Sequence, residues 1–308
     1  MNLFEINDAF PQIFQAFFFC IGACVGSFLN VCIYRIPAGK SIVNPPSHCA
    51  CGAPIQWYNN IPIFSWFCLR GRAKCCGRKI AFRYPLVEAL TAFIFLGMWC
   101  LLPPQTALVG MFFASIMIFC AFVDLDTMML PDFATVGGII IGFIISVAMP
   151  QLHIVAPEGA PLFAKMVSSA VSSAVGIIVG AGVISIMRIF GECVFGREAM
   201  GEGDIILAAC IGAFCGWQGA IFAIFGGSVI GAVLMIPIII LANLFKGKKA
   251  PKRPIEGDKS DAAEKPHDDC DAAAIPFGPW LAIGALLYFM FFSKSLDAYL
   301  ANFVNVLF

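Results

Sequence analysis

Two short stretches set carboxylates against hydrocarbon. In FVDLDTMMLPD (122–132) Asp124 follows the apolar MIFCAFV, and in REAMGEGDIILAACIGAFCGW (197–217) Asp204 opens an apolar run. An aspartate at the centre of a membrane helix costs about 2.5–3.5 kcal/mol on insertion scales and less near the interface, so an acid at such depth is a candidate for chemistry. Two aspartates brought by separate helices into one wet pocket share a proton, which puts a base and an acid in the same site. The ionised member can take a proton from water attacking a peptide carbonyl while the protonated member donates to the carbonyl oxygen. A plainer use exists for each residue. In the first turn of a helix Asp204 meets free N-terminal amides, and LPD places Asp132 close to a helix start. On spacing alone a cap is the simpler account of GEGD, in which Gly201 and Gly203 would loosen the helix start and take backbone shapes closed to other residues.

The second constellation is sulfur. HCACGAPI (48–55) and KCCGRKI (74–80) each carry C-G-x-x-I and place Cys49, Cys51, Cys75 and Cys76 at the two ends of a hairpin-like loop. Two Cys-x-x-Cys pairs would signal tetrahedral zinc. Here the first pair is Cys-x-Cys and the second adjacent. Neighbouring side chains point apart in an extended strand, so Cys75 and Cys76 are not expected to share one ion easily. His48 is then a substitute ligand, giving His48, Cys51 and Cys76 with Cys49 or Cys75. The alternative to metal is a loop packed around Ile55, Trp57, Trp66 and Ile80. Seven further cysteines of the fourteen fall in apolar runs, where they read as small hydrophobes.

The rest of the chain must position these groups. Of 308 residues, 60% are hydrophobic and 12% charged, in long apolar runs, which sets the fold class: an all-α polytopic membrane protein of about eight transmembrane helices with a cytoplasmic cysteine-containing loop. Windows of about 20 apolar residues predict helices near 12–34, 85–102, 106–123, 133–150, 163–187, 205–217, 219–245 and 276–292. Cations fix the orientation: those between Arg35 and Tyr84, Arg188, Arg197 and those from Lys246 to Lys265 fall on one side, and Lys165 and Lys294 alone on the other. The positive-inside bias puts the first group in the cytoplasm and both chain ends outside. No basic leader or small-residue cleavage pattern precedes the first run, so no cleavable signal is expected. The domain reading is a first transmembrane helix (1–34), the cysteine loop (35–84), a membrane core carrying the aspartates (85–245), a disordered cytoplasmic loop of mixed charge whose cations meet anionic lipid (246–275), and a last helix and tail (276–308). Zero net charge argues against a nucleic-acid partner.

The wider pattern resembles the bacterial type IV prepilin peptidases, membrane aspartic proteases of the GxGD kind. GSFLNVCIYRIP (26–37), NIPIFSW (60–66), RYPLVEAL (83–90), FVDLDTMMLPD, REAMGEGD and IPFGPWLAIG (275–284) follow in the family's order. The resemblance implies cleavage of the basic leader from prepilins or pseudopilins at the cytoplasmic face of the inner membrane, with Asp204 and Asp124, in preference to Asp126, as the catalytic pair. It also implies methylation of the new N-terminal amine with S-adenosylmethionine. Two departures are Ile206, where the family often has lysine, and Ala73, where its other loop cysteine would lie. The competing classes are a proton- or cation-coupled transporter using Asp124 and Asp204, and a metal-binding membrane scaffold. Two more polar groups have structural readings: Asn30 hydrogen-bonding inside the bundle, and Glu88 pairing with Arg83 or Arg35.

Overall fold

The computed structural model describes residues 10–49, 51–153, 160–196, 200–245 and 276–293. The expected disordered loop, the tail from residue 294 and Glu198 lie outside the described residues. The described chain is helical: α1 (Pro11–Arg35), a short α2 (Phe64–Cys68), α3 (Arg83–Leu101), α4 (Pro104–Thr127), α5 (Asp132–Ala148), α6 (Leu162–Phe195), α7 (Glu202–Phe245) and α8 (Gly278–Leu287). A π-helical turn, Tyr288–Phe292, extends α8. Among the described residues there is no strand, only two isolated bridges in the cysteine loop. Five helices (α1, α3, α4, α6 and α7) are long and apolar enough to cross a membrane, and α5 and α8 with its π turn are shorter apolar helices. The protein is therefore an all-α polytopic membrane protein.

Local rules set the helix ends. Proline stands in the first turn of α1, α4 and α8, where its missing N–H costs nothing. Met128 ends α4 in a left-handed conformation, its N–H capping the Asp124 carbonyl at 2.9 Å.

Packing between helices is backbone to backbone. A Cβ on Gly22 or Gly26 would stand 2.7 Å from the Cα of Ala92 or Glu88, so α1 lies directly on α3. The approach of α6 to α7 is closer still: a Cβ on Gly212 would fall 2.0 Å from the Gly176 carbonyl oxygen, and one on Gly180 2.3 Å from that of Ala208. Small residues at such crossings replace the hydrophobic drive that lipid removes.

The break in α7 decides the bundle's layout. Gly216, at φ 68°, is the non-helical residue inside it, a left-handed conformation that glycine adopts without strain. Before the break, Ala208 and Gly212 meet Gly180 and Gly176, so the first half runs antiparallel to α6. Beyond it, Gly219, Ala223 and Gly227 meet Tyr288, Gly284 and Trp280 in turn, so the second half runs antiparallel to α8. Helix α8 starts beside Asp124 and ends beside Cys215. The two halves of α7 thus cross the bundle in opposite directions, matching the expected separate segments 205–217 and 219–245. Just before the break the Ser173 hydroxyl (2.9 Å) and the His153 imidazole donate to the Ala213 carbonyl.

Candidate active site

By the topology read from the sequence, Glu88, Asp124, Asp126, Asp132, Glu192, Glu198, Glu202 and Asp204 fall at the cytoplasmic ends of the spans, and the structure sorts all but Glu198, which lies outside the described residues. Asp126 pairs with Arg83. Glu192 and Glu202 share Arg188, at 2.9 and 3.3 Å. Asp132 is exposed as the first residue of α5, at the helix start expected for it, but makes no capping hydrogen bond. Glu88 does not pair with Arg83 or Arg35: its carboxylate accepts the Ile63 amide at 2.7 Å, with the Ser27 hydroxyl beside it. Arg35 instead donates to the Ser41 and Ile42 carbonyls. The remaining two, Asp124 and Asp204, are the acids that are buried among the described residues, at 6% and 8% exposure. Neither forms an ion pair with a described cation.

The two come from opposite ends of different helices. Asp124 sits in the last turn of α4 and Asp204 in the first turn of α7, and they lie within Coulombic reach of each other. A third helix completes the site: the Gly278 amide, first in α8, donates to Asp124 Oδ2 at 2.9 Å. A Cβ there would stand 2.7 Å from that oxygen, so only glycine lets the amide reach it. Sequence reasoning missed Gly278, although the G-P of IPFGPW is a helix-start signal.

The glycines of GEGD act differently from expectation. Neither Gly201 nor Gly203 has a positive φ. Gly203 is helical and needed for space, since a Cβ would meet Leu130 at 2.9 Å. It lets the start of α7 close on the chain just past Asp124. Asp204 does serve the helix start, but burial beside a second carboxylate goes beyond a cap.

At the same end of the bundle lies the loop between α1 and α3. Asn30 donates to the Tyr84 carbonyl at 3.0 Å, the bundle hydrogen bond expected of it. The sulfurs of Cys49, Cys51, Cys75 and Cys76 all lie within 4.8 Å of one another. Cys49 faces Cys76 at 3.5 Å and Cys51 faces Cys75 at 3.4 Å. The expectation that adjacent Cys75 and Cys76 point apart is overturned, because the segment is a turn rather than a strand: Gly77, at φ 69°, closes it with its N–H on the Ala73 carbonyl. The other knuckle is built likewise on Gly52, at φ 85°, bonded to the Cys49 carbonyl. His48 stands outside the four-sulfur group, its Nδ1 on the Pro46 carbonyl at 3.0 Å, so its substitution for a cysteine is not needed. Of the residues expected to pack the loop, Trp57 is 79% and Ile55 39% exposed, while Trp66 and Ile80 are half-buried and the Trp66 Nε1 donates to the Ile80 carbonyl at 3.1 Å.

Four sulfurs in this arrangement fit zinc. Tetrahedral Zn–S bonds of about 2.3 Å put sulfurs about 3.8 Å apart. The thiols already compete for protons: the Cys51 backbone amide draws Cys49 down to about 7, and its hydrogen bond to the Cys51 side chain pushes Cys75 up to about 12. A cation at the centre would relieve that competition.

Fold and site define a helical membrane protein whose polar centre lies at one end of its bundle. The chain belongs to the Type IV leader peptidase family, whose model matches residues 111–236, and the Bacterial Peptidase A24 N-terminal domain matches residues 20–102. It is 32% identical to a prepilin leader peptidase/N-methyltransferase of Myxococcus xanthus (strain DK1622) over 90% of each chain. Proteins of the same name from Aeromonas hydrophila (29% identical, 98% of this chain and 99% of that one) and Dickeya chrysanthemi (34%, 71% and 80%) are also similar. No solved structure matches the chain.

Proposed function

We infer that the chain is a prepilin leader peptidase that also N-methylates its product, with Asp124 and Asp204 as the catalytic carboxylates. Its family membership and the names of its relatives support the two activities. The observation that carries the site is the pair itself: two buried acids on separate helices, within Coulombic reach of each other and with no ion pair to a described cation. One carboxylate takes a proton from water as the oxygen attacks the scissile carbonyl, and the other donates to the carbonyl oxygen. Collapse of the tetrahedral intermediate breaks the C–N bond, and the amine leaves with a proton from the pair. The Gly278 amide holds Asp124 in place through this cycle.

The distribution of cations supports a cytoplasmic placement of this end in the inner membrane, where the basic leaders of prepilins or pseudopilins lie. With α7 counted as two passes, the apolar helices support eight crossings. The resemblance and the relatives' names support S-adenosylmethionine as methyl donor, and the four cysteines support one zinc ion per chain.

The test is co-expression with a prepilin, following leader removal by gel and the new terminus by mass spectrometry. Asp124→Asn and Asp204→Asn are each expected to abolish cleavage, a loss of about 10³-fold or more on the scale of a missing acid–base group. Persistent cleavage in either variant removes the pair from the mechanism. An unmodified terminal amine in the wild-type product refutes methyl transfer.

A further inference from the structure

Asp124 lies in the last turn of its helix, where the final carbonyls lack helical partners and fraying is easiest. A residue from outside the peptidase region grips that turn on both sides of the aspartate. Arg83, the first residue of α3, pairs through one guanidinium nitrogen with Asp126 Oδ1 and donates from another to the Phe122 carbonyl oxygen at 3.1 Å. The same guanidinium stands 5.1 Å from the centroid of the Phe122 ring. Phe122 and Asp126 are two residues before and two after Asp124, so one planar fork spans the turn that carries the acid.

Helix α3 is a firm anchor for such a clamp. It is seated on α1 through Gly22 and Gly26, and Asn30 ties its first turn to α1 as well. Arg83 falls in the stretch matching the N-terminal domain model and Asp124 in the stretch matching the peptidase model.

We propose that Arg83 is a positioning residue for proteolysis, by which the N-terminal unit fixes the catalytic end of α4. The proposal rests on the reading of Asp124 as catalytic. An exposed ion pair alone contributes little. Here the ion pair, the carbonyl bond and the ring contact act together on one turn. Lysine cannot reproduce the fork, so Arg83→Lys and Arg83→Gln differ in a defined way.

The experiment is steady-state cleavage of a prepilin by the full-length protein in detergent, with rates per folded molecule. Arg83→Gln is expected to lower kcat about ten- to a hundredfold, the penalty of a misplaced catalytic group, with KM within about twofold of wild type. Arg83→Lys, which keeps a charge for Asp126, falls between the two, and Asp126→Asn loses less than Arg83→Gln because the carbonyl bond survives. A wild-type kcat in Arg83→Gln overturns the proposal, and so does a loss confined to KM, which would make the guanidinium a substrate contact. Should Arg83→Gln fail to fold, an unchanged kcat in both Arg83→Lys and Asp126→Asn overturns it equally. Asp124→Asn is the control: its retained activity would bring down the catalytic reading itself, whereas an inactive Asp124→Asn beside a normal Arg83→Gln sinks only the clamp.

Discussion

Asp124 and Asp204 are carried by helices that pack whether or not the acids are present, whereas the four cysteines sit in a loop tied by hydrogen bonds from Arg35, Trp66 and Ile63 but with no buried apolar side chain of its own among the described residues. Around the aspartates, Val123, Leu207 and Ala208 are essentially inaccessible. Around the cysteines, Trp57 and Ile55 are exposed, and the order comes from two glycine-closed turns and from sulfur facing sulfur. One region therefore has its geometry built into packed helices, and the other rests on four sulfurs that a metal ion would tie together. Functional groups on rigid elements stay aimed through a reaction. A small loop without a core needs a staple.

Breaking that contrast starts with the largest effect. Asp124→Asn or Asp204→Asn should leave a folded, zinc-bound protein without cleavage, while replacing all four cysteines with serine should do the reverse. In the cysteine variant residues 41–82 become protease-sensitive and metal analysis drops from about one zinc per chain to none, because structural zinc supplies folding energy outright. Equal damage to cleavage from both changes would dissolve the distinction. Next is Gly278→Ala, whose methyl cannot stand 2.7 Å from Asp124 Oδ2; the amide must withdraw, and kcat should fall about ten- to a hundredfold as for other misplaced groups.

The cysteine region answers to pH. Metal must displace the thiol protons, including that of Cys75, held up near 12, and below about 7 that of Cys49. Zinc affinity, measured by chelator competition, should therefore strengthen at least about tenfold per unit as pH rises from 6 to 8. A flat profile would mean that the ion is held elsewhere. The smallest effect belongs to Ser173→Ala. It removes one of two donors to the Ala213 carbonyl and should cost about 1 kcal/mol in unfolding experiments with cleavage unchanged.

Much of this was legible in the chain itself because charge stands out against hydrocarbon: Asp124 and Asp204 sit at the ends of apolar runs, and the runs mark the helices. The turn at Gly216 was visible as a gap between two apolar windows. What the sequence hid was partnership at long range. Gly278 lies 154 residues from Asp124, and Arg83 lies 43 from Asp126, separations at which no periodicity or spacing rule operates. Glu88 was misassigned for a related reason: a carboxylate near cations suggests an ion pair, but the nearest donor was the amide of Ile63, held in a γ-turn at φ 64° with Phe64 N on the Pro62 carbonyl at 2.6 Å. The cysteines were misread by assuming a strand, although glycine directly after Cys51 and Cys76 was itself the signal for two turns.

The reversal at Gly216 has a consequence for the lipid around it. From Asp204 to Cys215 the helix rises only about 17 Å at 1.5 Å per residue, against a hydrocarbon layer about 30 Å thick. A leg that short falls well below that thickness, a mismatch that membranes meet by thinning locally or by admitting water at one end of the helix.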